Sequence, residues 1–134
     1  MLFQKCARRA FTSTLRERQV VRLFLKQVGD ADPVVIKKRY SAFFGTNLDQ
    51  LLNDLHPDAR TLAGVNTHAC IRTTAIDAYQ RDFPVILAAD CIDSYDRVHH
   101  EISLRYMKDK IAAVLTNDEI AARLAHKVRH WLDG

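Results

Sequence analysis

Cys70 closes the segment Gly64-Val65-Asn66-Thr67-His68-Ala69-Cys70, whose pattern runs from the end of a short apolar strand into a helix. A cysteine in the first turn of a helix meets unpaired backbone N–H groups and the positive end of the helix dipole. Both favour negative charge on sulfur, and the thiolate is the nucleophilic form. The same N–H groups suit the oxyanion of a tetrahedral intermediate. On this segment alone, a small apolar residue buried at a helix start is the better explanation, so a second element must decide.

The remaining candidates are weaker. His126 and His130 stand four apart on the last helical stretch, a spacing metal sites use. Without a third ligand they read as cations near a helix C-terminus. His99, His100 and Glu101 open a helix and read as surface residues. His68, two before Cys70, is a possible base, and Cys91 reads as a packed thiol.

Short apolar runs alternate with helical stretches along the chain. Val34-Val35-Ile36 is a β-branched strand, and Leu48, Leu51, Leu52 and Leu55 give Asn47 to Leu55 helical spacing. Thr61 to Val65 is a strand, Thr67 to Arg81 a helix, Val85 to Ala89 a strand and His99 to Met107 a helix. Ile111 to Leu115 is a further strand. Thr116 followed by Glu119 is a capping-box signal that opens a final helix towards Trp131. Strand–helix alternation at this length predicts an α/β fold, three layers with a parallel Rossmann-like sheet and helices on both faces. Functional groups in such sheets gather at the carboxyl ends of the strands. Lys37, directly after the first of these strands, and the 65–70 turn, directly after the second, both fall there.

The 134 residues are 48% hydrophobic and 27% charged, with only four Gly and three Pro, enough for one core and no second domain. The net charge of +4 is not spread over the chain. Residues 1–29 hold seven bases and one acid, whereas the rest hold thirteen bases and fifteen acids. The main body therefore has no basic face for nucleic acid, and no apolar run is long enough to span a membrane. The three cysteines form no C-x-x-C pair and no secreted-type framework, which points to a reducing compartment such as the cytoplasm. The acid-free start MLFQKCARRAFTST also has the composition of a mitochondrial presequence, so that location is the alternative. Leu15 to Val28 reads as a short helix, and Gly29-Asp30-Ala31-Asp32-Pro33 as a boundary. This divides the chain into a basic segment, 1–29, and a main domain, 30–134.

The block Lys37-Lys38-Arg39-Tyr40-Ser41-Ala42-Phe43-Phe44-Gly45-Thr46 supplies the second element. Together with the Leu-rich helix, Gly64-Val65, Cys70 five residues after that Val, and Thr74-Ala75-Ile76-Asp77-Ala78, it resembles the isochorismatase-like hydrolases over about residues 30–120. That family includes nicotinamidases, N-carbamoylsarcosine amidases and isochorismatase itself. The resemblance implies that Cys70 is the nucleophile and Lys37 its partner in an Asp–Lys–Cys triad. It also implies a cis Val65–Asn66 peptide and an oxyanion hole from the N–H groups of Asn66 and Cys70. Tyr40 and Phe43 would line the substrate pocket. Because isochorismatase proper lacks the cysteine, Cys70 points to the amidase-like branch and to a carbon–nitrogen bond of a small molecule, with no cofactor and no metal. The family's opening strand, which runs into an Asp followed by Gln, has no match in residues 1–36, where Asp30 and Asp32 lie in a turn. The expectation is an N-terminally incomplete domain with an unfinished triad and a tendency to form homo-oligomers. The alternative is a non-catalytic paralogue serving as an oligomerisation or binding module.

Overall fold

The computed structural model describes Lys5–Cys6 and residues 32–132, with side chains described for residues 32–126. The proposed helix at Leu15 to Val28 lies outside the described residues.

Among the described residues, five strands form two parallel ladders. β1 (Lys5–Cys6) pairs with β2 (Ile36–Lys37), Lys5 opposite Ile36 and Cys6 opposite Lys37. β3 (Arg60–Val65), β4 (Val85–Asp93) and β5 (Ala113–Leu115) form the second ladder in that order. Parallel strands need crossovers, and helices supply them. α1 (Leu48–Leu55) precedes β3, α2 (Arg72–Tyr79) leads into β4, and α3 (Arg97–Met107) leads into β5. α4 (Asn117–Leu132) follows β5. This is the α/β arrangement with a parallel sheet that the alternation predicted.

Each element follows from its side chains. Leu48 and Leu52, one helical turn apart, are the residues of α1 that enter the core. They belong to one core cluster with Leu62 of β3, Val85 and Leu87 of β4, and Ile71, Ala75 and Ala78 from the segment after β3. The small residues of α2 let that helix lie close on the sheet. α3 buries His100, Ser103 and Met107, which share one face at helical spacing. The carboxylate of Asp96 caps this helix by accepting the His99 amide at 2.9 Å. At α4 the capping box is present: the Thr116 amide donates to Glu119 Oε2 at 2.8 Å and the Glu119 amide to Thr116 Oγ1 at 3.3 Å.

Two differences from the sequence reading bear on the site. No strand was expected before Val34, yet Lys5–Cys6 gives β2 a parallel neighbour. β4 continues four residues past Ala89, because the register against β3 shifts between Leu62 and Gly64. Gly64 then pairs with Ile92 and Val65 with Asp93, and Ile92 returns to the core. The shift carries β4 alongside the end of β3, where Cys70 follows.

Candidate active site

Lys37 is the last residue of β2, and its side chain is only 1% exposed. An ammonium that deep must have its donors satisfied. All three are: Nζ donates to the Arg39 carbonyl at 3.0 Å, the Tyr40 carbonyl at 3.1 Å and Cys70 Sγ at 3.2 Å. Two acceptors are neutral carbonyls, and no carboxylate is among the three. The charge is therefore directed at sulfur, the one partner able to become an anion.

The loop after Lys37 is built to turn those two carbonyls inward. The Ser41 hydroxyl accepts the Phe43 amide at 3.1 Å, and the Thr74 hydroxyl accepts the Ala42 amide at 3.1 Å. The Thr46 hydroxyl donates to the Ala42 carbonyl and accepts the Leu48 amide. Gly45 sits at φ +63°, a left-handed conformation that glycine takes at no steric cost. The conspicuous Arg-Tyr-Ser-Ala-Phe run is thus a hydrogen-bonded brace for a lysine.

Cys70 comes from the other ladder. β3 ends at Val65, the Val65–Asn66 peptide is cis, and a wide π-type turn, Thr67–Ile71, leads into α2. The amides of Ala69 and Ile71, on either side of Cys70, both donate to the Asn66 carbonyl at 3.2 Å. Cys70 is thereby fixed at the carboxyl end of β3 with its sulfur turned to Lys37, 7% exposed. The expectation of an ordinary α-helical first turn gives way to this wider one.

Behind the turn, Thr67 is fully buried and its hydroxyl lies 3.0 Å from His100 Nδ1. His100 was expected at the surface and is instead buried. The available signal was its spacing from Ser103 and Met107. His68 has Nδ1 2.9 Å from Ser94 Oγ and its ring edge-on to Tyr95. Neither contact places it as a partner of Cys70.

Phe43 and Cys91 differ from expectation. Phe43 is buried against Phe83, with the Arg81 guanidinium over its ring, so it packs the core and does not line an open pocket. Tyr40 serves Lys37 through its main-chain carbonyl while its ring is exposed. Cys91, expected to be packed, is exposed and its thiol donates to Asn117 Oδ1 at 3.3 Å. A concavity of about 470 Å³ lined by Tyr79, Phe83, Lys110 and Ile111 opens at the amino ends of β4 and β5, away from Cys70. Among the described residues no group of three His, Cys, Asp or Glu could hold a metal ion.

The isochorismatase domain family matches residues 3–119. The chain belongs to the isochorismatase family. It is 36% identical over 104 residues to the phenazine biosynthesis protein PhzD of Pseudomonas fluorescens, covering 78% of this chain and 49% of that protein. With the maleamate amidohydrolase of Pseudomonas putida the identity is 37% over 97 residues, 72% of this chain and 46% of the relative. The chain thus spans about half the length of the curated relatives it matches. Among solved structures, an isochorismatase-like hydrolase from Alkaliphilus metalliredigens superposes with a TM-score of 0.69 at 31% identity, over 72% of this chain and 53% of that one. The nicotinamidase PncA of Bacillus subtilis gives 0.64 at 32% identity, over 74% and 55%. Lys37, Cys70 and the cis peptide all lie within the matched residues.

Proposed function

We propose that this chain is a cysteine hydrolase that opens a carbon–nitrogen bond of a small amide through a thioester on Cys70. The observation that carries the reading is the 3.2 Å contact between Cys70 Sγ and the buried Nζ of Lys37, whose other acceptors among the described residues are two neutral carbonyls. An N–H donor held against sulfur orients it for attack on a carbonyl carbon. The thiolate adds to the carbonyl carbon, and the oxyanion is received by the N–H groups of Asn66 and Cys70. The carbon–nitrogen bond then breaks as the amine takes a proton from solvent; water next adds to the thioester carbonyl, the carbon–sulfur bond breaks, and the acid leaves with Cys70 restored. Cys70 itself favours the branch of amidases such as the maleamate amidohydrolase and nicotinamidase to which the chain is similar.

The reaction requires a reduced Cys70, which fits the free thiols at positions 70 and 91 and a reducing compartment. No helix among the described residues is long and apolar enough to cross a membrane. The reading also includes self-association into homo-oligomers.

Intact-mass spectrometry tests the chemistry. Maleamate, nicotinamide and an activated ester of a small carboxylic acid are each incubated with the 134-residue chain. The expected result is an acyl adduct that maps to Cys70, is absent in Cys70→Ala and forms far more slowly in Lys37→Met. An adduct at Cys91 alone, or one indifferent to Lys37→Met, would overturn the assignment and leave the binding-module reading in its place.

A further inference from the structure

Two imidazoles meet where the turn bearing Cys70 packs on the start of α3. His68 lies in the Thr67–Ile71 turn and His99 in the first turn of α3, and their ring centroids stand 5.7 Å apart at an interplanar angle of 45°. Each ring has one nitrogen engaged. His99 Nδ1 is 2.7 Å from Asp96 Oδ2, and His68 Nδ1 is 2.9 Å from Ser94 Oγ. A carboxylate only accepts, so in the neutral His99 ring the proton sits on Nδ1 and Nε2 keeps a bare lone pair. Ser94 Oγ already accepts the His68 amide at 3.4 Å and has a second lone pair for Nδ1–H. Among the described residues neither Nε2 has a hydrogen-bond partner.

We propose that His68 and His99 together bind a divalent transition cation of the zinc class through their Nε2 atoms. A metal-bound histidine almost always gives its other ring N–H to an oxygen that fixes the tautomer and the ring orientation. Asp96 and Ser94 hold the two rings in that manner. Two imidazoles on one tetrahedral ion, with metal–nitrogen bonds of about 2.0–2.1 Å, bring their centroids to roughly 5–6 Å. The observed separation already lies in that range. The exposed His99 side chain leaves room for the ion and its waters. Asp96, whose carboxyl is held low first by the His99 amide and then by the His99 ring, sets a negative charge near both imidazoles. Imidazole nitrogen selects zinc, copper, nickel or cobalt, whereas magnesium and calcium take oxygen ligands. The protein supplies two ligands and water the rest, fewer than the three-residue groups that are absent among the described residues. The bound ion ties the turn carrying Cys70 to α3.

Isothermal titration calorimetry of zinc chloride into the reduced 134-residue chain tests the site. The expected result is one ion per chain with a Kd below about 0.1 mM, and a Tm that rises with zinc as linkage requires. His68→Gln and His99→Gln should each raise the Kd at least about 10-fold, and Asp96→Asn, which keeps a helix cap, by roughly 10-fold. Cys70→Ala, Cys91→Ser and His126→Ala should leave the Kd unchanged. Circular dichroism verifies the fold of each variant. Imidazole nitrogen NMR of the unmodified chain needs no substitution, and zinc should shift Nε2 of two histidines and no others. Absence of saturable binding would overturn the proposal. Binding indifferent to His68→Gln and His99→Gln, or lost only in Cys70→Ala, Cys91→Ser or His126→Ala, would overturn it equally by moving the ion to a thiol or to the last helix.

Discussion

The Thr74 hydroxyl accepts the Ala42 amide at 3.1 Å, and by that bond the helix following Cys70 holds the loop following Lys37. Lys37 ends a strand of one ladder and Cys70 lies in the turn that follows a strand of the other, so sheet hydrogen bonding does not fix their separation. Thr74, one turn beyond Cys70, supplies the missing register. Both Thr74 and Ala42 are buried, and water cannot replace the bond.

Thr74→Val, which keeps the shape and removes the acceptor, should therefore cost about 1–3 kcal/mol by leaving the Ala42 amide unpaired. Urea denaturation measures this directly. Thr74→Ser, which retains the hydroxyl, should recover most of the loss. Equal losses in the two variants would assign the position to packing and not to the hydrogen bond.

Thiol labelling probes the lysine–cysteine contact. Cys91 is exposed and Cys70 buried, so simple access predicts that iodoacetamide finds Cys91 first. The Lys37 donor directed at Cys70 Sγ predicts the reverse, since a sulfur held for attack should react ahead of one that is merely accessible. Peptide mapping should show Cys70 labelled ahead of Cys91, with the order inverted in Lys37→Met. Cys91 leading in the unmodified protein would remove the chemical preference on which the nucleophile assignment depends.

Two carboxylates set an acid limit on stability. The His99 amide, bonded to Asp96, holds that carboxyl below its ordinary 3.8, and the Thr116 amide holds Glu119 below its ordinary 4.5. A carboxylate held lower in the folded state adds stability above its unfolded value, which is lost as pH falls through the folded value. The stability difference between the native chain and Asp96→Asn or Glu119→Gln should accordingly be flat at neutral pH and shrink below about pH 4. Thermal melts at several pH values read it out, and a difference that grows on acidification would contradict the capping roles.

Much of this was legible in the sequence because local and global signals agreed. Leucines at helical spacing, the Val85 run and the Thr116–Glu119 box each formed the element their pattern specifies, whereas of Val34-Val35-Ile36 only Ile36 enters a strand. Lys37 and Cys70 were legible through motif spacing, but the reason for the motif was not. That Ser41, Ala42 and Thr46 bond within one loop, and that Tyr40 matters through its carbonyl, depends on backbone direction that residue types do not encode. Phe43 illustrates the same limit, since an aromatic near a site can face either the core or the substrate. β4 was read too short because Asp90 and Cys91 interrupt its apolar run, and only the register shift against β3 restores Ile92 to the core. Lys5–Cys6 has no strand periodicity at all, and its pairing with β2 is a tertiary fact. His100 was misplaced because its charged neighbours suggested a surface when its spacing to Met107 favoured the core.

Turnover separates the first half of the proposed reaction from the second. Attack on a carbonyl needs the sulfur that Lys37 orients, but hydrolysis of the thioester needs a group to take a proton from water. Lys37 directs its donors to the Arg39 and Tyr40 carbonyls and the Cys70 sulfur, and none of these three acceptors is a carboxylate. His68 is turned to Ser94 and His100 to Thr67. Acylation of Cys70 by an activated ester should thus be rapid and stoichiometric, followed by slow release of acid. Amides, whose leaving group also needs a proton, should turn over very slowly. Burst kinetics with an activated ester, with ammonia release measured separately on maleamate and nicotinamide, distinguish the steps. Robust amide turnover abolished by Cys70→Ala would reveal a base acting at the site, and Asp32→Asn and Asp30→Asn would be the first substitutions to locate it. Absence of the burst would instead withdraw the thioester route itself.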